Sequence, residues 1–190
     1  MTVDRARAAA AVAEFLAAMG EDPDRAALAA TPARVAELGA ELFAGVGVDP
    51  VPDLAASAVA DVTASGPVAF RTVPFVSTCE HHLLPFAGTA AIVYRPGSSV
   101  AGFGALARVI ETLAARPQVQ ERLADEIADA VARGLEAAGV LVVLTAEHDC
   151  VSRRDRRLLG TSVVTVAARG EYEVGLARAE ALRLAGGPEA

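Results

Sequence analysis

All three histidines and both cysteines of this chain fall within two short segments, Cys79-Glu80-His81-His82 and His148-Asp149-Cys150. Chance scatter would rarely confine them so. Thiolate and imidazole together form the donor set that Zn²⁺ prefers. A fold that uses them must therefore bring two segments, far apart in the chain, to one point in space.

Cys79 and His82 are three residues apart, close enough to reach one ion from a turn, whereas Cys150 must arrive by tertiary folding. Three protein ligands leave a coordination position for solvent, the arrangement of hydrolytic zinc; four would make a closed structural site. The residues alone leave the ligand choice open. His81 and His82 are adjacent and point in different directions, so one of them joins Cys79, and His148 shares a face with Cys150 if that segment is extended. The histidines left over line the same pocket, suited to proton transfer near neutral pH.

Residues 4–19 read as a helix stopped by Gly20. Thr31-Pro32 opens a second, with Thr31 as N-cap and Pro32 at the first helical position. Residues 45–65 are rich in Gly, Pro, Asp, Ser and Ala and read as a connector with a little helix. Segments 67–79 and 86–95 carry β-branched and aromatic runs around a His-His-Leu-Leu-Pro bend, a hairpin-like pair with the first cluster at its end. Helical spacing follows over 104–115 and 117–138, with Gly139 as the stop, and two more strands over 140–146 and 161–168. The expected order is α-α-β-β-α-α-β-β. It divides into an N-terminal helical region and connector, 1–65, and one catalytic unit, 66–190.

Apolar residues make up 53% of the chain, yet no stretch reaches the roughly 18 to 20 uncharged apolar residues of a membrane span. Part of the excess is alanine in helices; the rest implies surface buried against further copies of the chain. A net charge of −7 argues against general nucleic-acid binding. No signal-peptide pattern opens the sequence, which implies a cytoplasmic address, where two cysteines are ligands sooner than a disulfide.

Cys79-Glu80-His81-His82-Leu83-Leu84-Pro85-Phe86, then Gly102 to Glu111, Pro117-Gln118-Val119-Gln120-Glu121-Arg122-Leu123 and His148-Asp149-Cys150 together resemble GTP cyclohydrolase I in content, order and spacing. Thr31 to Ala36 and Arg178 to Leu182 extend the likeness. The resemblance implies an α+β fold: a T-fold (tunnelling fold) subunit with N-terminal helices and an antiparallel ββααββ sheet. Such subunits assemble into a pentameric β-barrel ring and then a decamer, with active sites between subunits. It implies Cys79, His82 and Cys150 as ligands of zinc, which activates water for attack on guanine C8 of GTP. His81 and His148 then move protons during ring opening and formate release, towards 7,8-dihydroneopterin triphosphate. Glu121 and Gln120 are implied as guanine-side substrate residues, and Arg34, Arg108 and Arg154 as triphosphate ligands. Without the resemblance, Glu121 and Arg108 read as charges on solvated helix faces, and Arg154 as part of a basic or anion-binding loop, Arg153 to Arg157.

The chain departs from the family pattern at its phosphate end. Where Gly-Leu-Ser-Lys is usual it has Gly102-Phe103-Gly104-Ala105. Glu37 stands in place of a lysine, and Asp155 follows Arg154 where glycine is common. The chain has no lysine at all, and arginine replacement does not account for Ala105 or Glu37. Three readings follow: a full GTP cyclohydrolase I; a paralogue that takes fewer phosphates or stops at a ring-opened pyrimidine; and an inactive zinc-binding scaffold or regulator. The presence of both His81 and His148 speaks against the last.

Overall fold

The computed structural model describes residues 3–60 and 66–186. The end of the expected connector, 61–65, and the first and last residues of the two expected regions lie outside the described residues.

Two helices, α1 (Arg5–Ala18) and α2 (Thr31–Leu42), pack on each other at the N-terminal end. Asp4 caps α1 by accepting from the Arg7 N–H at 2.9 Å. The expected cap on α2 is displaced by one residue. Thr31 is already helical, because its N–H donates to the Leu28 carbonyl at 2.8 Å and Ala30 takes the cap position. A short helix α3 (Val51–Ala56) and a three-residue strand β1 (Ala58–Ala60) follow within the connector.

From residue 66 onward the chain is built around one five-stranded sheet. Strands β2 (Val68–Cys79) and β3 (Pro85–Arg95) form the expected hairpin, bulged between Phe70 and Val73 with Thr72 at φ 59°. A bulge adds local twist and curl. After β4 (Ser99–Ala101), which pairs with β1, come α4 (Phe103–Ala114), the two-residue strand β5 (Pro117–Gln118) and α5 (Gln120–Leu135). Strands β6 (Gly139–His148) and β7 (Ser162–Gly170) complete the sheet, whose order is β5-β2-β3-β6-β7. All neighbours are antiparallel except β5, which runs parallel to β2. The α+β class and the ββααββ order are those of the T-fold.

Two sequence expectations shift. Residues 117–119 are not helical, because Pro117-Gln118 extends to pair with Thr78 and Cys79. The second helix stops at Glu136, which takes φ 48° and leaves Gly139 free to begin β6.

Packing follows the period of two along the central strands. Phe86, Ala90, Ile92 and Tyr94 of β3 face α4 and α5, burying themselves with Leu106, Ile110, Leu123 and Ile127. Ala91 and Val93 face the other way, onto Tyr172 and Ala181; the latter lies on the last helix, α7 (Gly175–Leu184). A fully buried Leu, Ile or Phe contributes about 1.5–3 kcal/mol relative to exposure, so this two-sided burial makes the β3–β6 pair the rigid centre of the unit. No helix among the described residues is long and apolar enough to cross a membrane.

Candidate active site

The β3–β6 register sets Phe86 opposite His148, which places the end of the β2–β3 hairpin beside the end of β6. The hairpin bend is fixed by its backbone. The Cys79 N–H donates to the Leu84 carbonyl and the Leu83 N–H to the Cys79 carbonyl, both at 2.8 Å, while Leu83 takes φ 54°. From the side, the Glu80 N–H donates to the Gln118 carbonyl at 3.0 Å, and Arg122 bridges the Glu80 carboxylate and the Gln118 side chain. This brace of Glu80, Gln118 and Arg122 is not evident in the sequence; all three lie within the quoted motifs, but nothing in their spacing announces that they pair.

Cys150 reaches the site differently from the extended strand weighed above. The chain turns helical immediately after His148, in α6 (Asp149–Ser152), so Cys150 and His148 do not share a strand face. The turn carries Cys150 to the hairpin end. Ligand atoms of Cys79, His82 and Cys150 all lie within 4.8 Å of one another, and no other Cys, His or carboxylate joins them among the described residues. Cys79 and Cys150 are 5% and 9% exposed and His82 is open to solvent. Burial pushes the Cys150 thiol above its ordinary pKa, and the neighbouring Cys79 adds to this; Arg154 opposes. Two sulfurs and an imidazole are a soft donor set, which suits a divalent metal such as zinc.

His81 is exposed, with Nδ1 3.9 Å from the Cys79 sulfur and its ring 6.5 Å from that of His82. His148 is partly buried. Its ring stacks on Phe86 with centroids 4.8 Å apart and planes 2° from parallel, and its Nε2 lies 2.7 Å from Gln120 Oε1. Burial lowers the His148 pKa from the usual histidine value, with the Glu121 carboxylate pulling the other way. Near pH 7 such an imidazole is mostly neutral, as a proton acceptor needs to be.

Glu121 stands exposed in the first turn of α5 without a hydrogen-bond partner among the described residues, near enough for its charge to act on His148. Gln120 is 1% exposed and turned into the sheet. Arg154 is exposed and donates from Nη1 to His82 Nε2 at 3.0 Å. Arg108 lies along α4, with its guanidinium over Gly104, where an added Cβ would meet Nη1 at 3.5 Å. Arg34 is exposed on α2, the helix that packs on α1.

The departures from the family pattern acquire physical meaning here. Ala105, in the first turn of α4, is 5% exposed and faces the core. The acidic substitutions are both engaged: Glu37 accepts from Arg5 Nε at 2.8 Å, and Asp155 from Arg157 Nη2 at 2.7 Å.

A family model described as GTP cyclohydrolase I matches residues 8–185. The GTP cyclohydrolase 1 of Leifsonia xyli subsp. xyli is 54% identical over 183 residues, 96% of either chain. That of Mycolicibacterium vanbaalenii is 48% identical over 184 residues, 95% of this chain and 90% of its own. Among solved structures, an archaeosine synthase QueF-Like in its apo form overlaps 57% of this chain and 97% of its own, at 18% identity and a TM-score of 0.48.

Proposed function

Because the chain belongs to the GTP cyclohydrolase I family, we propose that it opens the imidazole ring of GTP at C8, releases formate and recloses the product to 7,8-dihydroneopterin triphosphate, with zinc held by Cys79, His82 and Cys150. The observation that carries this reading is the convergence of those three donors, from a hairpin end and a separate helical turn, within 4.8 Å of one another. Two thiolates and one imidazole are the donor set that would hold zinc there. When bound, zinc supplies the Lewis acidity that activates water at neutral pH.

The protein's own groups do the remaining work. His148, largely neutral and held in one plane by Phe86, accepts a proton from the attacking water. His81, exposed beside Cys79, returns a proton to the ring nitrogen as the C8–N bond breaks. Glu121 accepts from the guanine N1–H and the exocyclic amine, a two-point contact that a carboxylate is shaped to make. Arg108 and Arg154 bind phosphate oxygens. Arg34, exposed on α2, serves a neighbouring subunit's site in a ring of these subunits. The exposed valines of β7, Val163, Val164 and Val166, form an apolar edge suited to burial in such an assembly.

A second reading, arrest at the ring-opened pyrimidine, draws on Gly104, which brings no hydroxyl to the first turn of α4. One assay separates the readings. Zinc-loaded protein is given GTP, GDP, GMP and guanosine in turn, and formate and pterin fluorescence are followed separately. Formate with fluorescence from GTP supports the full reaction, formate alone supports arrest, preference for a lower phosphate supports a paralogue, and neither product from any substrate leaves only a scaffold.

A further inference from the structure

Gln120 is the one polar residue among those that α5 buries, and its carboxamide is committed on every side. Nε2 lies 3.1 Å from the Leu144 carbonyl, 3.0 Å from the Val163 carbonyl and 3.2 Å from Thr165 Oγ1. Backbone carbonyls only accept, so the nitrogen must face them; the reversed amide would press its oxygen against two others at the same distances. The oxygen therefore faces His148, 2.7 Å from Nε2. A carboxamide oxygen has no proton to give, and the hydrogen in that contact belongs to the imidazole.

Two backbone carbonyls of the sheet thus set the orientation of Gln120, and Gln120 sets the proton on His148. Phe86 holds the plane of the same ring. We propose that Gln120 is a positioning residue rather than a substrate contact: it fixes His148 as the Nε2–H tautomer and so presents the Nδ1 lone pair as the proton acceptor of the reaction. Both N–H groups of Gln120 are used within the sheet, and at 1% exposure it offers guanine no surface. The role parallels the general pattern in which a base is oriented by a third group, here a neutral amide anchored to backbone. The inference rests on the reading of His148 as a proton carrier.

The decisive measurement is made on the wild-type protein, and a substitution serves only to assign the signal. Solid-state ¹⁵N NMR of zinc-loaded wild-type protein labelled at histidine, about two pH units above the ordinary histidine pKa, reports which ring nitrogen bears hydrogen. The signal of His148 is identified by its loss in His148→Ala. An Nε2–H tautomer is expected; an Nδ1–H tautomer, or an exchanging mixture, overturns the proposal. In Gln120→Met, which removes the amide with little change of volume, kcat should fall on the order of 10²-fold with zinc retained and the tautomer mixed. KM for GTP should stay within about threefold of wild type, whereas a raised KM with unchanged kcat would make Gln120 a substrate contact and overturn the assignment. If Gln120→Met does not fold, the wild-type spectrum still decides. Inactivity of the wild-type protein towards GTP would count against the proposed chemistry and leave the tautomer result standing by itself.

Discussion

Gly88 sits on β3 opposite Ala146 of β6, two residues from the Phe86–His148 pair. A methyl group there would meet the Thr145 carbonyl oxygen at 1.9 Å and Ala146 Cα at 2.6 Å, both backbone atoms. No side-chain rotation relieves such a contact; the two strands must part. Overpacking costs about 1–3 kcal/mol, and a backbone obstacle in the centre of the sheet places Gly88→Ala at the upper end. For a chain of 190 residues, each kcal/mol moves Tm by about 2–4 °C, so a fall of about 6–12 °C is expected. The same displacement draws Phe86 away from His148, so kcat at 25 °C should fall even though most of the protein is folded. The assay is thermal unfolding by circular dichroism at fixed protein and zinc concentration, because ligand binding itself shifts Tm, with formate release measured alongside. Gly39→Ala is the control: it lies in α2 with nothing within 4 Å of an added Cβ and should gain about 0.5–1 kcal/mol from helix propensity. A Gly88→Ala protein that melts within about 2 °C of wild type with unchanged turnover would refute the claim that this register positions the site.

Cys150→Ala should lose zinc on dialysis, by elemental analysis, whereas His148→Ala should keep it and lose at least about 10²-fold in kcat; loss of metal from His148→Ala would reverse the division between ligands and proton carriers. Glu121→Gln removes a charge-assisted acceptor worth about 1.5–3 kcal/mol, so kcat/KM for GTP should drop about 10- to 100-fold, and the preference for GTP over inosine triphosphate, which lacks the exocyclic amine, should shrink with it. Arg157→Ala releases Asp155 beside Arg154 and should raise KM for GTP by no more than about fivefold, with a smaller change for GMP; equal effects on both would remove Asp155 from the phosphate end.

The longer strands and the convergence of the two clusters were legible because both leave local marks: β-branched and aromatic runs over 67–79 and 86–95, and soft ligands found nowhere else. The path of Cys150 was not, since nothing in His148-Asp149-Cys150 distinguishes an extended end from a helical turn; packing on β3 decides it. The strand at Pro117-Gln118 is two residues long and has no period to read, and its pairing partner, the end of β2, is remote in sequence. Glu136 ends α5 in a left-handed conformation that a sequence reading assigns to glycine three residues on. The position of Gln120 did leave a trace. It falls on the helical stripe of Leu123, Ala124, Ile127, Ala128 and Val131, all buried, so a polar residue there had to find partners inside. Phe86 carried a weaker sign, because its stacking on His148 depends on the β3–β6 register. The phosphate end was least legible: that Glu37 and Asp155 are each held by an arginine is a matter of tertiary and loop geometry.

X-ray absorption at the zinc edge tests the central claim most directly, because it counts the atoms around the metal. The account expects two sulfur neighbours at about 2.3 Å and two light neighbours at about 2.0–2.1 Å, one of them an imidazole and the other exchangeable solvent, with one sulfur lost in Cys150→Ala. A first shell closed by four protein donors, shown by loss of a light neighbour in His81→Ala or His148→Ala, would contradict it.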